Sequence, residues 1–166
     1  LVTGASESLV ATISPSNATN KDVEWTSSNT NVATVDTTGK VTGVSAGSAT
    51  ITVKTKDGSK VATCNVTVKN PVISVTGVTL NKTALNLVTG ASESLVATIS
   101  PSNATNKNVE WTSSNTNVAT VDTTGKVTGV SSGSATITVK TKDGAKVATC
   151  NVTVKNPIAI NDINKH

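Results

Sequence analysis

Few side chains in this 166-residue chain are equipped for chemistry, and their spacing limits what that chemistry could be. The single histidine is His166, the last residue, which reads as a flexible or tag-derived residue rather than a general base. Glu7, Glu24, Glu93 and Glu110 have no second carboxylate at a matching strand position. Glycoside hydrolysis by paired carboxylates needs two of them roughly 5–10 Å apart across a sugar. Asp36 and Asp122 precede Thr-Thr-Gly, and Asp57 and Asp143 precede Gly. Each stands alone, whereas calcium takes roughly six to eight oxygens, several from carboxylates. Turn formation accounts for these aspartates without an ion. Cys64 and Cys150 fall in alternating runs that point them inward, between Ala62 and Val66 and between Ala148 and Val152. They are expected to be buried thiols acting as small hydrophobes, too far apart to pair. Trp25 and Trp111 could stack on sugars, but they share strand phase with Val23 and Val109, which predicts core anchors beneath both sheets. A Lys–Asn isopeptide link would need an inward Lys beside a buried acid, and no lysine has that phase. The N-x-T sequons at Asn17, Asn65, Asn81, Asn103 and Asn151 follow from an Asn- and Thr-rich composition. The residues therefore predict no catalytic, cofactor-binding or metal site, and no enzyme.

What positions these residues is a repeat. Leu1 to Pro71 reads onto Leu87 to Pro157 at an offset of 86, with three differences: Asp22/Asn108, Ala46/Ser132 and Ser59/Ala145. A fixed period of this size means tandem copies of one folding unit. The expected domains are 1–71, 72–157, and a tail at 158–166 that begins like another linker. Within each copy, short alternating runs are broken by turn formers. Leu9, Ala11 and Ile13 share a face, then come VEWTSS, VATVD, KVTGVS and ATITVKTK, with Ala49, Ile51 and Val53 on one side. Asp57-Gly58 predicts a hairpin turn in which both residues tolerate positive φ. The closing strand VATCNVTVK points Ala62, Cys64, Val66 and Val68 inward. Asn70-Pro71 marks the boundary, and VISVTGVTLNKTALN then supplies an opening strand to the second copy, with Gly77 as a bend. Nothing before Leu1 matches that segment.

Composition agrees with an all-β chain. Thr, Val and Ser dominate, there is no Phe, Tyr or Met, and no long capped helical pattern is present. The net charge of +4 comes from lysines alone, spread along both copies. Nucleic-acid readers use arginine forks and stacking aromatics, which are missing, so nucleic acid is not an expected partner. The lysines suit solubility and protection of strand edges. There is no membrane-spanning run. The chain opens on Leu1 rather than Met, which reads as an internal or processed piece.

Seven or so short strands with turns at intervals of about 8–12 residues fit an immunoglobulin-like sandwich. The wording of the repeat is more specific. VTGVTLN, ISPSNATNK, VEWTSSN, VATVD, GKVTGV, GSATITV and ATCNVTV together resemble the bacterial immunoglobulin-like domain, group 2. The resemblance covers the second copy entirely and the first apart from its opening strand. It implies tandem β-sandwiches of the kind found on adhesins of the intimin and invasin type, on surface-anchored enzymes and on phage virions.

The function expected from this reading is a non-catalytic extracellular spacer, rod-like because strands of about eight residues span about 27 Å. It would present or contribute to binding of cell surfaces, through a surface protein or polysaccharide. The alternatives are a phage virion decoration or tail domain and an accessory array on a secreted carbohydrate-active enzyme. Copy 1 lacks its first strand; the simpler reading is that the sequence begins mid-domain, and the alternative is an open edge at which Ile158, Ile160 and Ile163 of another molecule pair in head-to-tail self-association.

Overall fold

The computed structural model of the protein describes residues 1–159. Ile160, Ile163 and His166 lie outside the described residues. The chain divides into two compact units, Leu1–Pro71 and one beginning at Val72, and the described residues contain strands and turns but no helix.

The first unit holds β1 (Ser6–Ser8), β2 (Val23–Ser27), β3 (Ala33–Val35), β4 (Lys40–Gly43), β5 (Gly47–Thr55) and β6 (Val61–Val68). They form two antiparallel sheets, in orders β2-β5-β6 and β1-β4-β3. β5 shows why: Thr, Ile and Val favour extended backbone, and their alternation sends Ala49 and Ile51 into the interior with Thr50 and Thr52 on the other face. The apolar faces of both sheets meet in a core of Val32, Ala33, Val41, Ala49, Ile51 and Val68.

The hairpin between β5 and β6 is longer than a two-residue turn. Lys54 pairs with Val61, Thr55 N–H donates to the Lys60 carbonyl at 2.8 Å, and the residues with positive φ are Gly58 and Ser59 rather than Asp57 and Gly58. The Thr55 hydroxyl donates to the Asp57 carbonyl at 2.6 Å and accepts from Lys60 N–H at 2.8 Å. These bonds hold the wider loop without a tight turn.

The second unit contains β7 (Gly77–Leu80), β8 (Ala84–Val88), β9 (Ser92–Ser94), β10 (Ala97–Ser100), β11 (Val109–Ser113), β12 (Ala119–Val121), β13 (Lys126–Gly129), β14 (Gly133–Thr141) and β15 (Val147–Lys155). The sheets run β11-β14-β15-β8, β12-β13-β9 and β10-β7. The opening segment bends where Asn81 to Thr83 carry it from its ladder with β10 to its parallel ladder with β15. Gly77 is merely the first residue of β7.

Two expectations need correction, the first for the first unit and the second for both. Residues Leu9 to Ile13 keep alternating burial but form no ladder, whereas Ala97–Ser100 of the same sequence is β10. The difference is the partner, because β7 has no counterpart in the first unit. Nor are the tryptophans the hubs of their cores. The largest fully buried side chains include Ile51, Leu95 and Ile137, while Trp25 and Trp111 are half-buried and pack against the clusters from the side.

Candidate functional site

The aspartates before Thr-Thr-Gly are engaged in their own turns. Asp36 Oδ1 accepts from Thr38 N–H at 2.8 Å, the Thr38 hydroxyl at 2.6 Å and Lys40 N–H at 3.1 Å. Asp122 makes the same set with Thr124 and Lys126. The threonine hydroxyl bond first, then the backbone bonds, hold both carboxyls below the usual aspartate range. The turn closes over the tryptophan. Gly125 has φ +88°, and a Cβ there would lie 2.6 Å from the Leu95 carbonyl oxygen and 2.8 Å from Cζ2 of Trp111. Only glycine lets the turn approach the ring so closely. The indole is thus packed from one side by its own turn, not held out as a sugar platform.

The two cysteines sit differently. Cys150 is fully buried among Leu85, Leu87, Val152 and their neighbours, and desolvation raises its thiol pKa against a smaller opposing pull from the Lys82 ammonium. Cys64 is only half-buried, contrary to the inward placement expected of both, because no counterpart of β8 covers it. Glu93 forms an ion pair with Lys82, a residue belonging to the segment without a counterpart in the first unit. Among the described residues no group of three or more His, Cys, Asp or Glu side chains converges as a metal site would.

The concave feature of the first unit is a groove of about 530 Å³ between the Val10–Pro15 stretch and the β5–β6 hairpin. Val53 and Ala62 contribute to its lining from the strands, with Ala11, Ile13, Asp57 and Gly58 around its rim. Every residue lining it recurs unchanged 86 positions later, since none of the three differing positions is among them.

In the second unit the equivalent surface lies beneath Ile73–Leu80. β7 runs antiparallel to β10, with Leu80 opposite Ala97 and Gly77 opposite Ser100. Thr76 N–H donates to the Ser100 carbonyl at 2.8 Å, and Asn81 Oδ1 accepts from Val96 N–H at 2.8 Å. Beyond the ladder, Thr105 Oγ1 accepts from Ile73 N–H and Thr105 N–H donates to the Ile73 carbonyl, both at 2.8 Å. Asp143 Oδ2 accepts from Val75 N–H at 2.8 Å. A Cβ on Gly144 would come within 2.8 Å of the Val75 carbonyl oxygen, so the strand passes directly over that glycine. Under this cover Val139 is 0% exposed and Thr141 1%, whereas Val53 and Thr55 are half-buried.

The pattern before Gly144 reads as a turn, yet the Asp143 carboxylate also accepts from Val75 N–H, 68 residues away. The available signal was the segment Val72–Asn86 itself, whose apolar positions require a face to pack on.

Residues 1–66 and 74–152 match the bacterial Ig-like domain (group 2) family. An uncharacterized protein of Clostridium acetobutylicum is 37% identical over 158 residues, covering 94% of this chain and 16% of that protein. The Ig-like virion protein of Serratia phage KSP90 is 41% identical over 153 residues, covering 91% of this chain and 59% of its own length. An alpha-L-arabinofuranosidase of Bifidobacterium longum subsp. longum is 48% identical over 83 residues, covering 50% of this chain and 8% of the enzyme. The chain thus spans only part of each of these relatives. Two matched segments, the repeat that produces them and the paired sheets they fold into lead to one assignment: the chain belongs to the bacterial Ig-like domain (group 2) family, in two tandem copies.

Proposed function

We propose that this pair is a non-catalytic extracellular module that spaces, and contributes weak repeated contacts to, a surface-binding protein. The observation that carries this reading is the outward face of the larger sheet, which is written twice. Thr26, Thr52 and Thr63 stand in register across β2, β5 and β6, and Thr112, Thr138 and Thr149 repeat the row across β11, β14 and β15. Glu24 beside Lys54 and Glu110 beside Lys140 flank the rows. Hydroxyls and charges on an outward sheet face make weak hydrogen bonds to hydrated polymers such as polysaccharide. Repetition converts weak contacts into avidity with no new contact.

Retention of the chain on immobilised cell-wall polysaccharide, compared with a Thr52→Ala/Thr138→Ala variant, tests the reading. Retention that falls in the variant supports it. Equal retention of both proteins, or none of either, removes the contact role and leaves spacing alone.

A virion location is the second reading, favoured by the extent of the match to the Serratia phage protein. There the module would decorate the particle and aid attachment to the host surface. An accessory role beside a carbohydrate-active enzyme has weaker support, from the short shared stretch in the arabinofuranosidase.

A further inference from the structure

In the larger sheet of the second unit β11 is an edge strand, paired with β14 on one side only. Lys142 N–H donates to the Asn108 carbonyl and Ser114 N–H to the Thr136 carbonyl, both at 2.9 Å. These bonds turn the even-numbered residues towards β14, so Val109, Trp111 and Ser113 point their N–H and carbonyl groups away from the sheet. Among the described residues none of those groups is bonded. The strand, Val-Glu-Trp-Thr-Ser, carries no proline, lysine or bulge to blunt its edge. Trp111 is only half-buried, so apolar ring surface stays exposed on the residue at the strand's centre.

We propose that this edge is a self-association site, at which β11 of a second copy of the chain adds antiparallel with the two Trp111 residues opposite each other. Bonding and charge both select that register. It pairs Val109 with Ser113 of the second copy, and Trp111 with its equivalent, so every free group finds a partner. On the outer face it sets Glu110 opposite Thr112 of the second copy, with Lys140 on the other side of Glu110. A slip of two residues in either direction leaves end groups unbonded, and in one direction it puts Glu110 directly against Glu110, where like charges repel. A slip of one residue turns the side chains to the wrong face. In the selected register the tryptophans meet across the strands on the inner face, an aromatic pair that covers their exposed ring surface. Val23–Ser27 has the same sequence and the same pattern, since Lys56 N–H donates to the Asp22 carbonyl and Ser28 N–H to the Thr50 carbonyl, both at 2.9 Å. Each chain thus offers two equivalent edges.

Sedimentation equilibrium and amide hydrogen exchange of the whole chain test this at concentrations up to about 1 mM, because a short strand interface only weakly exceeds the cost of association. The weight-average mass should rise with concentration. Exchange at Val109, Trp111 and Ser113, and at Val23, Trp25 and Ser27, should slow along with it. Thr26 and Thr112 are exposed, so substitution there leaves the fold intact. Thr26→Lys/Thr112→Lys places an ammonium opposite Glu24 or Glu110 of the second copy and should tighten association by about fivefold. Thr26→Glu/Thr112→Glu places like charges there and should weaken it by about as much. A chain that stays monomeric at the highest concentration overturns the proposal. So do edge amides whose exchange ignores concentration, or lysine and glutamate variants that shift association in the same direction.

Discussion

The paired cysteines allow the effect of the opening segment to be read in a single reaction. Cys64 and Cys150 lie in the same local sequence, Ala-Thr-Cys-Asn-Val-Thr-Val, and differ only in what covers them. Treating the folded chain with an aromatic disulfide reagent should label Cys64 rapidly. Cys150 is 0% exposed, and its raised thiol pKa further reduces the reactive thiolate. For it to react, β8 must leave β15, which exposes Leu85, now 3% exposed, and breaks part of the parallel ladder. Uncovering one buried leucine costs about 2 kcal/mol. The ladder bonds add about 1 kcal/mol each, so an opening of about 3–5 kcal/mol is expected. If opening is fast relative to labelling, this slows Cys150 by about two to four orders of magnitude relative to Cys64. Mass spectrometry of peptides from timed samples resolves the two sites. Leu85→Ala should close much of the gap by accelerating Cys150 alone. Equal rates at the two thiols in the parent chain would refute the view that the opening segment seals the second core.

Further outcomes follow from the same geometry. Val139→Ala should cost about 2–3 kcal/mol, because a fully buried valine leaves a cavity, while Val53→Ala in the open unit should cost about 1 kcal/mol less; denaturant unfolding of the two variants checks the difference. Gly90 and Gly125 have nearly the same φ, +87° and +88°, but a Cβ meets nothing within 4 Å at Gly90 and meets backbone and indole at Gly125. Gly90→Ala should therefore cost about 1–2 kcal/mol from conformation alone, and Gly125→Ala about 1–3 kcal/mol more, measured by thermal melts. The lowered pKa of Asp36 and Asp122 gives stability that is complete above the unfolded value of 3.8 and is lost as pH falls through the folded pKa. Urea midpoints of the parent should fall more steeply below pH 3.8 than those of an Asp36→Asn/Asp122→Asn variant, and parallel curves would exclude the turn carboxylates as the cause.

Much of the fold was legible because alternation and turn residues are local signals. The phase of Ala49 and Ile51 and the outward Glu24 follow from period-two reasoning. What could not be read locally was burial that depends on a distant strand. Cys64 and Cys150 have one sequence context and two environments, and Ala11–Ser14 has the residues of a strand without its ladder. The tryptophan misled for a related reason. Its phase was right, but the depth of its burial is set by Gly125 and the turn that folds over it, and turn placement leaves no mark on strand alternation. The groove escaped because its lining comes from the Val10–Pro15 stretch, β2, β5 and β6, which are separated in sequence.

The parallel ladder between β8 and β15 has a mechanical meaning. Chain enters the second unit through the segment leading to β8 and leaves it from the end of β15. Because these strands run the same way, tension on the two ends slides one past the other along their length. The pairs from Ala84–Asn151 to Val88–Lys155 then bear the load together, in shear, and must fail together rather than open one by one.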